Sequence, residues 1–117
     1  MPPRIILLAL LALPLPAQDA NQPLYVVTHV DTTGPTAADA AKLLNQFAAD
    51  SRKEAGSVRF EVYRETGRLN HFTVVEVWQN RAAFERHLAG SGSKAFREKL
   101  QPMLGSPFDE RLHNLLP

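Results

Sequence analysis

Two alternating runs joined by one short polar turn constrain this chain most. In SVRFEVYRE, residues 57–65, Val58, Phe60 and Val62 alternate with Arg59, Glu61 and Tyr63. In NHFTVVEVWQN, residues 70–80, Phe72, Val74, Glu76 and Trp78 share one face; His71, Thr73, Val75 and Val77 share the other. A period of two marks a β-strand, whose successive side chains point to opposite faces. The linking TGRLN holds Gly67 and reads as a hairpin turn. A strand pair with apolar groups on both faces needs cover on both.

The flanking segments supply part of that cover. PLYVVTHVD, residues 23–31, alternates as well: Tyr25, Val27 and His29 against Leu24, Val26, Thr28 and Val30. TTGP breaks it. Thr36 is a candidate N-cap, with Asp39 three residues on as an approximate capping box. Ala40, Leu43, Leu44, Phe47 and Ala48 then recur at helical spacing. They predict an amphipathic helix of about 18 residues that ends before Gly56. Asn80 is placed to cap a second helix with Phe84, His87 and Leu88 on one stripe. GSGS, residues 90–93, interrupts it, and Ser93 is placed to cap a further helix carrying Ala95, Phe96 and Leu100. PFDERLHNLL, residues 107–116, is the last extended candidate. Strand, helix, strand, strand, broken helix, strand is the split βαβ order of an α+β, ferredoxin-like domain. Its helices cover one sheet face. A second copy of the same sheet is the simplest cover for the other, so a homodimer is expected.

The start of the chain reads differently. Arg4, the apolar run Ile5 to Leu15 and small residues around Ala17 follow the order of a secretory signal. We expect a signal over residues 1–20, a domain over 21–117, and a periplasmic or secreted product. The run is shorter than the roughly 20 residues of a membrane-spanning helix, so no stable anchor is expected after cleavage. Without Arg4, 12 basic side chains balance 12 acidic ones. That balance argues against a nucleic-acid partner, which needs a basic footprint. With no cysteine, and no His pair at HxH or HxxxH spacing, no metal site is expected.

The stretch NHFTVVEVWQNRAAFERH, the opening PLYVVTHVD and the tail LGSPFDERLH together resemble the antibiotic biosynthesis monooxygenase family, in particular its quinol monooxygenase type, over about residues 23 to 116. The resemblance implies a dimeric α+β barrel of two face-to-face sheets, with a pocket in each subunit between sheet and helices. It implies oxidation of a quinol or phenolic small molecule by O₂, with no metal or flavin and hence no cofactor. Other members of the family bind or degrade haem, and some have no demonstrated chemistry. A haem-binding or haem-degrading domain and a non-enzymatic small-ligand-binding dimer are therefore the alternatives. Haem-degrading relatives carry an asparagine near the position of His29, a departure that counts against haem degradation.

Ground-state O₂ is a triplet, but an electron-rich phenolate can pass it one electron. The protein must then supply a base, a dry aromatic pocket and hydrogen-bond donors. His87 is the candidate base, because histidine titrates near neutrality. Trp78 offers a flat wall and one N–H, and Phe72 and Phe84 are further walls. Tyr25 and His29 are candidate donors, His29 being also a catalytic candidate. His71, at a strand start, is the outermost candidate contact and is equally suited to a turn. Glu76 is expected to pair with a cross-strand arginine, Arg59 or Arg111, as a structural ion pair. GSGS lacks the lysine and preceding strand of a phosphate loop, and is expected to be mobile beside the pocket.

Overall fold

The computed structural model describes Pro3 and residues 21–117 of the chain; the rest of the expected secretory segment lies outside the described residues. The elements are β1 (Leu24–Asp31), α1 (Ala37–Ser51), β2 (Ser57–Arg64), β3 (His71–Trp78), α2 (Arg81–Ala89), α3 (Ser91–Leu100) and β4 (Asp109–His113). Short 3₁₀ turns occupy Gly34–Thr36 and Gln101–Met103. The strands form one antiparallel sheet in the order β2-β3-β1-β4. This is the ferredoxin-like α+β fold. No helix among the described residues is long and apolar enough to cross a membrane.

Strand parity builds the core. Leu24, Val26, Thr28 and Val30 of β1 and Phe72, Val74, Glu76 and Trp78 of β3 are all buried. Their apolar members pack with Ala40, Leu44 and Ala48 of α1, Ala83 and Phe84 of α2, and Phe96 and Leu100 of α3. The opposite parity lies on the open face, where His29 is exposed and Tyr25, Val27, Thr73 and Val75 are half-buried.

Four local expectations are corrected. Thr36 precedes α1 but makes no side-chain cap; its hydroxyl instead donates to the Thr33 carbonyl (3.1 Å) and the Met103 carbonyl (3.1 Å). The helix contains the whole apolar stripe but stops at Ser51 after 15 residues, short of the expected length of about 18, because a turn through residues 52–56 must bring the chain back to β2. Gly56 has φ +85°, and a Cβ there would lie 2.5 Å from the Ala83 side chain, so this turn needs glycine twice over. Val58 is 65% exposed, because the ladder slips between Ser57 and Arg59 and leaves it as the extra residue of a bulge. Finally, GSGS is not a loop: Gly90 alone breaks the helix, and Ser91 to Ser93 form the first turn of α3.

Candidate functional site

His87 lies on the inner stripe of α2, and Asn80 fixes where that stripe starts. The Asn80 side chain accepts the Ala83 N–H at 2.9 Å. The ring reaches into the layer between α2 and β3 and is almost fully buried. Nδ1 lies 2.7 Å from Oε2 of Glu54, a residue of the turn between α1 and β2. Backbone bonds Glu54 N to Ser51 O (3.1 Å) and Ser57 N to Glu54 O (3.1 Å) hold that turn in place. A carboxylate only accepts, so Nδ1 is the donor in this bond. The Ser93 hydroxyl donates to the His87 carbonyl and sits 3.4 Å from Nε2, tying the first turn of α3 to the same ring.

Nε2 looks toward Glu76, whose Oε1 is 3.7 Å away. Glu76 is 4% exposed, and its Oε1 accepts the Trp78 indole N–H at 3.0 Å. Burial pushes its carboxyl up to about 7. The Trp78 hydrogen bond and the Arg97 charge counter that rise, whereas the Glu110 and Glu54 charges add to it. The expected pairing of Glu76 with Arg59 or Arg111 does not occur. In the observed register Arg59 stands opposite Val77 and Arg111 opposite Val27, both on the open face. There Arg59 pairs with Glu61 (2.9 Å) and Arg111 with Asp109 (3.1 Å).

Aromatic rings surround the pair of polar groups. Trp78 lies 4.5 Å from the His87 ring, Phe47 5.3 Å, Phe60 5.9 Å and Phe84 6.3 Å, centre to centre. A narrow cleft opens between sheet and helices beside them. Its sheet side is Thr28, Val74, Glu76 and Glu110; its helix side is Phe47, His87, Phe96 and Arg97, with Phe108 at the edge. Phe47 and Phe96 stack at 3.8 Å across the top. Arg97 bonds Glu110 at 2.8 Å and lies 4.7 Å over the Phe108 ring. Free volume in the cleft is about 10 Å³, room for about one water. An aromatic ligand therefore needs the lining side chains to move apart.

The structure sorts the sequence candidates by sheet face. His87 lines the cleft. Trp78 and Phe84 touch its ring but lie behind it in the core, so Trp78 holds Glu76 rather than forming a wall. Phe72 shares the covered face but lies farther along β3, under Arg64 at 5.2 Å. Tyr25 and His29 point to the open face, where His29 Nδ1 sits 3.4 Å from the Thr73 hydroxyl. His71 pairs with Asp31 at 3.1 Å at the sheet's end. None of these three reaches the cleft. The sequence reading missed Thr28, Glu54, Arg97 and Glu110, and assigned Glu76 a structural role.

The comparison with known proteins places the chain in a family. Residues 23–99 match the family model described as antibiotic biosynthesis monooxygenase. The chain belongs to the antibiotic biosynthesis monooxygenase family. The Synechocystis protein sll1783 is 26% identical over 96 residues, covering 82% of this chain and 65% of its own length. The Bacillus subtilis protein YcnE, which carries a monooxygenase name, is 29% identical over 59 residues, covering 50% of this chain and 62% of its own. The chain thus spans less than two thirds of the length of either curated relative. The solved structure of SnoaB, a cofactor-independent oxygenase from Streptomyces nogalater, superposes with a TM-score of 0.72 at 22% identity. It covers 80% of this chain and 93% of SnoaB, a likeness of fold.

Proposed function

We propose that this domain oxidises a phenol or quinol with O₂ in the cleft beside His87, without a bound cofactor. The observation that carries the reading is the buried His87, which lines the cleft with its Nδ1 bonded to Glu54, so that Nε2 is the ring nitrogen left to act as a base. A base so placed takes the proton of a ligand hydroxyl. The resulting phenolate gives one electron to O₂, and the two radicals join to form a C–O bond to a ring carbon. The hydroperoxide then loses water: the O–O bond breaks, one oxygen remains as a carbonyl, and the other leaves with the ring hydrogen and one proton. A quinol plus O₂ becomes a hydroxyquinone plus water, with no further reductant. Glu54 orients the imidazole and stabilises the imidazolium that forms, and Glu76 stands beside the ring as a second proton carrier.

The haem alternative gains no support from these residues. Iron would have to take Nε2, since Nδ1 is bonded to Glu54, and a macrocycle seated there would displace Glu76, Phe47 and Phe96 together, far more than a single ring does. Haem therefore does not fit His87 as it is placed. The small-ligand-binding alternative uses the same cleft without the oxidation.

Two further parts belong to the proposal. A homodimer would cover the open face, whose half-buried Tyr25, Val27 and Val75 form an apolar centre between the Arg59–Glu61 and Arg111–Asp109 pairs. Sedimentation at micromolar concentration should give a dimer; a stable folded monomer would remove this part. Export rests on Arg4 and the apolar run to Leu15, and is tested by the N-terminal residue of the protein recovered outside the cytosol.

Oxygen uptake by purified, metal-free protein with a panel of hydroquinones and phenols tests the oxidation itself. Uptake above the uncatalysed rate supports it. A Soret shift with haemin and no uptake with any quinol would replace it with the haem reading.

A further inference from the structure

Thr28 sits at the centre of the cleft's sheet side. It is paired with Val74 on one neighbour strand and with Glu110 on the other. The residue is 1% exposed, and its hydroxyl has no hydrogen-bond partner among the protein groups. A buried hydroxyl left unpaired costs about 1–3 kcal/mol relative to a paired one, so it is rarely tolerated without a use. Valine has nearly the same shape and would fill the position without that cost. Glu76 is the diagonal neighbour of Thr28 on β3, since Thr28 stands opposite Val74 and Glu76 lies two residues further along the same face. Diagonal pairs in a sheet are separated by roughly 7–8 Å. Both side chains line the cleft, whose free volume of about 10 Å³ suits one oxygen atom.

The geometry points to Thr28 and Glu76 as a two-point site for one uncharged oxygen of the ligand, a hydroxyl or carbonyl on a small aromatic ring. This rests on the cleft beside His87 being the ligand site and names the chemistry it selects. Thr28 can donate or accept. Glu76, protonated over part of the neutral range, can do the same, so neither a phenol nor its quinone product is excluded. A ligand carboxylate is disfavoured at this end, because its charge is tolerated only while Glu76 stays protonated. It would lie beside Glu76, and Glu110 stands opposite Thr28 with its own charge already spent on Arg97. The apolar remainder of the ligand would lie against Val74, Phe47 and Phe96. The site therefore selects neutral phenolic rings over hydrocarbon rings through Thr28 and over benzoate-type acids through Glu76.

The chain's one tryptophan provides the readout, because its indole N–H is bonded to Glu76. We would titrate phenol, toluene and benzoate into the full-length protein without oxygen and follow the single indole N–H resonance by NMR. Phenol should shift it, toluene should bind roughly tenfold more weakly, and benzoate should leave it unchanged. Thr28→Val should bind phenol no better than toluene, while its melting temperature equals or exceeds that of the wild type. Thr28→Ser should retain the preference for phenol, which separates loss of the hydroxyl from a packing change. Equal binding of phenol and toluene to the wild type, a preference that survives in Thr28→Val, or no phenol-dependent shift overturns the inference. Oxygen uptake by the same variants reports separately on the oxidation. Phenol selection without turnover leaves this site standing and removes the monooxygenase reading, and turnover without selection does the reverse.

Discussion

His29 and His87 are the same residue on opposite sides of one sheet, and the contrast between them locates the chemistry. His29 stands on the open face of β1, exposed, with the Thr73 hydroxyl 3.4 Å away. His87 is buried between the carboxyls of Glu54 and Glu76 and ringed by Phe47, Phe60, Trp78 and Phe84. Charged pairs on the open face, such as Arg59–Glu61, are solvated and contribute little. On the covered face the low-dielectric surroundings raise the Glu76 carboxyl by desolvation and make each polar contact count. Side-chain type alone does not make a site; the face it occupies decides.

Trp78 is where the covered face should be easiest to break. Trp78→Ala removes the largest buried side chain and the N–H that Glu76 accepts. A loss of about 3–5 kcal/mol is expected in urea unfolding. A loss below about 1 kcal/mol would mean that the covered face is no better packed than the open one.

The pH dependence of stability sharpens the contrast next. Folded Glu76 holds its proton up to about pH 7, whereas its ordinary value is 4.5. Between these two values the folded chain binds more protons than the unfolded one. The stability that Glu76 contributes is therefore complete below about pH 4.5, falls as pH rises toward 7, and is gone above it. Glu76→Gln keeps an acceptor for the indole but has no proton to lose. The stability difference between the two proteins should change by up to about 3 kcal/mol from pH 4.5 to 8. Parallel profiles would show that Glu76 titrates like an open-face carboxylate. The indole N–H resonance of the wild type should titrate over the same range.

Arg97 gives a smaller effect at the cleft's mouth. Arg97→Ala removes the bond to Glu110 and a charge that lowers the Glu76 carboxyl. Stability should fall by about 1 kcal/mol or less, because the pair is partly solvated. The indole titration should move to higher pH; a move to lower pH would show that Arg97 does not act on Glu76. The smallest effect belongs to His29. His29→Ala should change stability by less than about 0.5 kcal/mol, and a larger loss would show that the open face holds this ring more firmly than its contacts indicate.

Much of the fold was legible because its strands alternate strictly. The parity of β1 and β3 placed Leu24, Val26, Phe72, Val74 and Trp78 together, and Asn80 marked the start of α2 correctly. Val58 obeyed the same alternation and still lies outside, because a bulge is a property of two strands and cannot be read from one. Glu76 failed for a related reason. Which cross-strand residue it meets depends on register, and the register put Arg59 beside Val77. Glu54 gave no signal, since it follows the end of a helix in a turn whose path is set by Gly56. Thr28 gave none either, because an unpaired hydroxyl is visible only once its surroundings are known. GSGS looked like a mobile loop from composition, yet three of its four residues are helical and Ser93 is bonded to the His87 carbonyl.

The most direct measurement is oxygen uptake per folded molecule by His87→Ala and His29→Ala, side by side with the wild type on the hydroquinone and phenol panel. Loss of His87 should lower the rate on the order of 100-fold or more, while loss of His29 should leave it within about twofold, far below the effect of a lost base. Retention of the wild-type rate by His87→Ala, or an equal fall in both variants, would contradict the assignment of the base to the covered face.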